Sequence, residues 1–481
     1  MKESFYFYDL ETTGLSPKKD RIMQFAGQRT DNNLEPIGEP DNIYIKITED
    51  ILPSPDAVMV TGITPQKTLS EGISEAEFLK YFYDQIAVPN TVFVGFNSVR
   101  FDDEFIRYLN YRNFYDAYEW QWSEGRSKWD ILDVVRMTRA LRPEGIKWPF
   151  SSDGKPSNRL ELLTDLNKLE HSHAHDALSD VFATIAVAKM IQQKNQKLFE
   201  YLLKIRSKKE VDSLVSKGVP FVYSSGRYSS EFNYTTAATV LGAHPEKQGA
   251  YLVYDLRFDP EEYSNKSIDE LEEMFNNQYG EGAKRFPVKI MHNNKCPALA
   301  PLNVVTEKNW KDIQLEKTTV EQNYLKLAAN ENLKLKIIEL FRRNQQQIQT
   351  RFISDEQTVD EQLYDGFFDR GDKNKMRVVR AAEVDDLVDL SFDFDDPRLR
   401  SLLILYKARQ YPASMNESEQ EYWNNYKKNS LNQKQTDGTS KIESFFKRLE
   451  QLAEIHQSDP NKIYLLEELQ LYAQSVMTTD Y

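Results

Sequence analysis

A chain of 481 residues holds two to four domains at roughly 150 residues each, and it is long enough to bury a core without a disulfide or metal staple. Its single cysteine, Cys296, excludes an intramolecular disulfide framework and a multi-cysteine zinc ribbon, and so sparse a use of cysteine fits a reducing compartment. With 61 basic and 75 acidic residues the net charge is −14, which argues against charge-driven coating of nucleic acid but leaves room for a local basic groove, since fields act within about 8–10 Å.

The stretch from Met1 to Gly14 lacks an apolar signal core and carries Asp9 and Glu11. No apolar run approaches the roughly eighteen residues of a membrane span. The expectation is a soluble, cytoplasmic, monomeric protein with no membrane association.

Residues 1–195 alternate strand-like and helix-like patterns, which predicts an α/β domain. Ser4–Glu11 reads as a strand ending in a Thr-Thr-Gly turn, with a hairpin partner at Ile22–Arg29. Thr91–Phe96 reads as a short buried strand, and Asp102–Tyr111 and Ala177–Gln193 as helices. The composition turns basic and polar over 204–218, as in a linker helix or boundary. Pro220–Tyr223, Ala250–Leu256 and Pro287–His292 gather β-formers between turn residues, which predicts a β-rich domain with helical insertions over 196–350. A helix near Asn332–Gln345 closes it. A helical domain is expected over 351–481: Leu402, Leu403, Leu405 and Tyr406 open an amphipathic face, and Ile442–His456 and Ile463–Met477 repeat its spacing. The acidic stretch Asp385–Asp396 reads as a solvated charged face rather than a metal site.

Three motifs carry chemistry. In Phe5-Tyr6-Phe7-Tyr8-Asp9-Leu10-Glu11-Thr12-Thr13-Gly14, strand alternation puts Phe5, Phe7, Asp9 and Glu11 on one face and Tyr6, Tyr8 and Leu10 on the other. Two adjacent carboxylates repel unless one is protonated or a cation lies between them; the alternative is a strand end with two solvated acids. Asn97-Ser98-Val99-Arg100-Phe101-Asp102-Asp103 places carboxylates at the carboxyl end of a buried strand, where ligands of α/β sheets gather; the alternative is a helix cap. His171-Ser172-His173-Ala174-His175-Asp176-Ala177-Leu178-Ser179-Asp180 sets a histidine five residues before an acid at a helix entry. An imidazole there suits proton abstraction from water near neutral pH better than a zinc site with no cysteine nearby.

Asp9 and Glu11, then Asp102, then His175 and Asp180, in this order, resemble the pattern of the DEDD exonucleases in their histidine subclass. The resemblance implies an RNase H-like exonuclease fold in which Asp9, Glu11, Asp102, His175 and Asp180 are catalytic. It further implies that Asp9, Glu11, Asp102 and Asp180 hold two Mg²⁺ ions, with Mn²⁺ as a substitute, and that His175 is the base. Further segments narrow the likeness: Gly62-Ile63-Thr64-Pro65-Gln66, Ala140-Leu141-Arg142-Pro143-Glu144-Gly145, Asn294-Lys295-Cys296-Pro297, Leu363-Tyr364-Asp365-Gly366-Phe367-Phe368 and Lys407-Ala408-Arg409-Gln410-Tyr411-Pro412. With these the whole chain resembles the bacterial exonuclease I family of single-strand-specific 3′→5′ deoxyribonucleases.

That likeness implies a nuclease domain, an SH3-like domain and a helical domain around a groove for single-stranded DNA, a role in DNA repair and recombination, and release of nucleoside 5′-monophosphates. It implies a partner, the acidic C-terminal tail of single-stranded-DNA-binding protein, with Arg142 as a contact. It also implies Arg107, Tyr118, Trp122 and Arg136 as strand contacts, with Arg159 and Glu11 near the terminal nucleotide. Independently, aromatic and basic residues interleave between Arg100 and Trp148, as stacking of unpaired bases requires, although helical spacing sends many of them to the core. Two rival readings are an adaptor that binds without turnover and an RNA exonuclease of the same chemistry; the 2′-hydroxyl preference cannot be read from the residues.

Overall fold

The computed structural model describes residues 3–169, 176–279, 284–351, 357–388, 390, 392–434 and 438–478. The chain forms two compact units, one of Met1–Ser127, Ser172–Phe182 and Glu356–Tyr481, the other of Lys128–His171 and Ala183–Asp355. The helical C-terminal segment thus shares a unit with the carboxylate strand.

In the first unit, β1 (Ser4–Thr12) pairs antiparallel with β2 (Ile22–Thr30) and parallel with β4 (Thr91–Gly95), while β3 (Asp41–Tyr44) flanks β2. The expected alternation along β1 holds. Tyr6, Tyr8 and Leu10 join Phe25, Phe78, Phe82, Phe93 and Trp120 in one core cluster. Phe5 and Phe7 are also buried, and the same face continues into Asp9 and Glu11. Helix α1 (Asp102–Arg112) begins with Asp102, Asp103 and Glu104, acids that favour the positive end of a helix dipole. Helix α2 (Ala177–Lys194) carries Asp180 in its first turn. Both helices and the three strands expected from the sequence in this region are present, whereas β3 is an addition: its four residues, Asp-Asn-Ile-Tyr, form too short and too polar a pattern to read as a strand.

The C-terminal helices are α3 (Pro397–Gln410), α4 (Glu417–Asn432), α5 (Lys441–Ile455) and α6 (Pro460–Thr478). Asp396 caps α3 ahead of Pro397, and capping boxes Asn416/Glu419 and Ser440/Glu443 open α4 and α5. Leu431, Phe445, Leu449, Leu469, Tyr472 and Val476 pack with Met23, Ile47, Leu52, Val58 and Ile63 of the nuclease segment. One hydrophobic cluster therefore spans both ends of the sequence, and about 1.5–3 kcal/mol per large buried side chain holds them together.

The acidic stretch finds a structural use. Asp372 accepts backbone N–H groups of Asp395 at 3.1 Å and Asp396 at 2.8 Å, and it pairs with Lys375 at 3.1 Å. Asp369 caps the helix Arg370–Ala381 through the Asp372 N–H at 2.7 Å. The oxygens of Asp369, Asp372 and Asp395 lie close together, but their lone pairs are engaged by the chain itself.

The second unit contains a five-stranded antiparallel sheet of β5 (Phe221–Ser224), β6 (Thr235–Ala243), β7 (Ala250–Asp255), β8 (Val288–His292) and β9 (Ala298–Pro301), in the order β9-β5-β6-β7-β8. Strands β6 and β9 escaped the sequence reading because Ala and Gly dilute their β-formers. The basic stretch at 204–218 contains the helix Lys208–Val215, and the expected closing helix is Glu331–Arg351.

Candidate active site

The turn after β1 explains where the carboxylates point. The β1–β2 register shifts between Glu11 and Thr12, a bulge that re-aims the side chain at a strand end. Thr13 Oγ1 and the Ser16 N–H both donate to Asp20, and a Cβ on Gly14 would meet the Asp20 carboxylate at 2.5 Å. Only glycine allows that approach.

At this end of β1 the carboxylate oxygens of Asp9, Glu11 and Asp180 lie within 4.8 Å of one another. Asp102, buried at the first helical position of α1, stands close enough to act on them: burial first, then the charges of Asp102, Glu11 and Asp180, hold the Asp9 carboxyl well above the usual range. Burial, reinforced by Asp180, Asp102 and Asp176, raises Glu11 from 4.5 to about 8. Neighbouring Asp103 is not part of this cluster. It accepts the Tyr8 hydroxyl at 2.5 Å inside the core, and Tyr8, 3% exposed, stays protonated because burial raises its pKa well above its usual value. Neither acid caps α1, since Phe101 occupies the cap position without a side-chain bond.

Oxygen donors crowded at this spacing, with pKa values raised by burial and by mutual repulsion, suit a divalent cation. Asp9, Glu11 and Asp180 fit one, and Asp102 adds a fourth carboxyl group beside them.

The electrostatics carry a pH dependence. Between the ordinary value of 4.5 and about 8 the metal-free folded state holds a proton on Glu11 that the unfolded chain has released, so stability falls as pH rises through this window. A cation needs the ionised form and removes the cost. The melting-temperature gap between Mg²⁺ and EDTA is therefore expected to be several degrees wider at about pH 8.5 than at about pH 6. An equal gap at both values would refute the coupled acid cluster.

His175, like His171 and His173, lies outside the described residues. Its neighbour Asp176 accepts a hydrogen bond at 3.3 Å from Gln24, which stands opposite Glu11 in the β1–β2 register.

The residues expected to contact a strand fall in different settings. In the first unit, Arg107 pairs with Glu104 at 2.6 Å, donates to Gln121 at 2.9 Å and lies over the Tyr118 ring at 5.5 Å, while Trp122 is 65% exposed. In the second unit, Arg136 pairs with Asp133 at 2.5 Å and lies over the Tyr234 ring. Exposed Arg159 pairs with Glu161, and Arg142 donates to the Val304 carbonyl at 3.1 Å. The sequence reading gave no role to Tyr364 and Phe367, yet their rings lie 6.5 Å and 5.9 Å from that of Tyr118, and Phe367 is 84% exposed. The signal was available in Gly366-Phe367-Phe368, an aromatic pair after glycine, but an unpacked ring is visible only in the fold.

Comparison with known proteins agrees with this geometry. The family profile described as Exonuclease matches residues 6–188, that of the Exonuclease I SH3-like domain residues 206–343, and that of the Exonuclease I C-terminal domain residues 357–476. Exodeoxyribonuclease I of Haemophilus influenzae is 40% identical over 475 residues, covering 98% of each chain. The crystal structure of Escherichia coli exonuclease I in complex with a dA16 oligonucleotide matches with a TM-score of 0.92 at 37% identity, covering 99% of this chain and 100% of that one. An ExoI/SSB-Ct complex matches with a TM-score of 0.90 at 36% identity over the same shares of the two chains. The chain, an exonuclease domain followed by an SH3-like and a helical C-terminal domain, belongs to the exonuclease I family.

Proposed function

We propose that this protein degrades single-stranded DNA from its 3′ end, releasing nucleoside 5′-monophosphates. The observation that carries the reading is the convergence of Asp9, Glu11 and Asp180 at the end of β1, in a chain whose relatives include an exodeoxyribonuclease I and an exonuclease I complexed with an oligonucleotide. Asp9, Glu11, Asp102 and Asp180 would hold two Mg²⁺ ions, with Mn²⁺ as a substitute, and these would supply Lewis-acid charge stabilisation at the scissile phosphate. A ring nitrogen of His175 takes a proton from the attacking water. The new P–O bond forms in line as the bond to the leaving 3′ oxygen breaks, and that oxygen takes up a proton to become the next 3′-hydroxyl.

Glu11 and Arg159 orient the terminal nucleotide, and Arg107, Tyr118, Trp122 and Arg136 hold the strand behind it. Exposed Phe367 extends the Tyr118 aromatic group in the manner of a base-stacking platform. The acidic tail of single-stranded-DNA-binding protein docks at Arg142, a reading supported by the ExoI/SSB-Ct relative. The functional division follows 1–195, 196–350 and 351–481, and the protein acts as a cytoplasmic monomer in DNA repair and recombination. No helix among the described residues is long and apolar enough to cross a membrane.

The test uses 5′-labelled single-stranded DNA, duplex DNA and RNA of equal length, with Mg²⁺ or EDTA, beside Asp9→Ala. Progressive shortening of the single-stranded DNA alone, stopped by EDTA and by the substitution, is expected. Tight binding without shortening would assign the adaptor reading instead, and preferential loss of RNA would change the substrate while keeping the chemistry.

A further inference from the structure

Behind the carboxylate strand lies a buried ion network that takes no part in the reaction above. Arg21 ends the turn after β1: its carbonyl accepts the Thr13 N–H at 2.9 Å, and its own N–H donates to Thr13 Oγ1 at 2.9 Å. Its guanidinium reaches Asp360 at 2.7 Å and Asp50 at 3.5 Å. Arg409 of α3 bridges the same two acids, at 2.6 Å and 2.8 Å, and all four side chains are at most 5% exposed.

The neighbouring segment is gripped as well. The Thr48 hydroxyl donates to Asp50 at 2.6 Å, the Tyr472 hydroxyl donates to the Thr48 carbonyl at 3.1 Å, and Lys427 pairs with Glu49 at 2.9 Å. Shortly afterwards the Ser54 N–H donates to the Thr13 carbonyl at 2.7 Å. Thr13, two residues beyond Glu11, is therefore held on one side by Arg21 and on the other by the segment containing Asp50. Both holds run to Asp360 and Arg409 in the helical C-terminal segment.

Two arginines and two aspartates balance in charge, and apolar side chains of the same volume would stabilise such a site as well or better. A planar guanidinium shared by two carboxylates instead imposes direction.

We infer that Arg409 and Asp360 are positioning residues for the reaction centre, holding the Thr12–Arg21 turn through Arg21 so that Glu11 meets the cation in register with Asp9 and Asp180. The inference rests on the reading of those three acids as a divalent-cation site.

The test measures Mn²⁺ affinity by calorimetry on the full chain, with binding of a single-stranded oligonucleotide in EDTA and circular dichroism as controls. Arg409→Met and the charge-balanced pair Asp360→Asn with Arg409→Gln are expected to weaken Mn²⁺ binding about 10–100-fold, the range for groups that orient metal ligands. Oligonucleotide binding is expected to change less than about twofold, and Arg409→Lys should recover part of the Mn²⁺ affinity. If Glu11→Gln loses Mn²⁺ while every folded network variant binds it as the parent does, the network is only structural and the positioning role is overturned. If Glu11→Gln itself leaves Mn²⁺ binding intact, the cation-site reading fails, and the inference with it.

Discussion

Glu11→Gln is expected to abolish turnover and, at the same time, to raise the melting temperature of the metal-free protein. The two effects have one origin. Burial and the charges of Asp180, Asp102 and Asp176 raise the Glu11 carboxyl to about 8, so a neutral isostere relieves repulsion that the cation otherwise offsets. Charge stabilisation by a metal supplies several kcal/mol of transition-state energy, and each tenfold in rate is about 1.4 kcal/mol. A loss of about 10³-fold or more in kcat follows. Affinity for single-stranded DNA in EDTA should change little below about pH 8, where the parent's Glu11 already carries a proton. Turnover within tenfold of the parent would remove Glu11 from the reaction centre, and a lowered metal-free melting temperature would contradict the repulsion argument.

His175→Ala is the second large effect. A general base contributes about 10²–10⁴-fold, so kcat should fall by that amount with little change in oligonucleotide binding. The pH profile separates this role from a structural one. In the parent, kcat/KM should rise as imidazole loses its proton, ordinarily near ~6.5, and this limb should vanish in the variant. A variant that turns over normally, or that keeps the limb, would leave the proton transfer to another group.

Much of the site is legible in the residues because strands and helix starts place side chains by simple periodicity. Alternation along β1 is enough to put Asp9 and Glu11 on one face, and the entry to α2 is enough to put Asp180 near a strand end. The choice of Asp102 over Asp103 comes from the family pattern and not from periodicity, because in the fold it depends on a hydrogen bond from Tyr8, 95 residues away in the chain. Phe367 escaped for a similar reason, since its exposure beside Tyr118 is a product of tertiary packing. The helical segment after residue 351 reads well as helices, but periodicity gives no hint that α5 and α6 share a core with Met23 and Val58. Nor does it show that Arg409 shares two aspartates with Arg21. Long-range partnerships of this kind leave no local period.

The described residues contain two acidic groupings with metal-like spacing, Asp9 with Glu11 and Asp180, and Asp369 with Asp372 and Asp395. The first is crowded and raised in pKa, while the second spends its oxygens on backbone N–H groups and Lys375. The most direct measurement is anomalous diffraction from crystals soaked in Mn²⁺. The account predicts manganese between Asp9, Glu11 and Asp180, with its peak lost or weakened in Glu11→Gln. Manganese at Asp369, Asp372 and Asp395 with none at the end of β1 would contradict it.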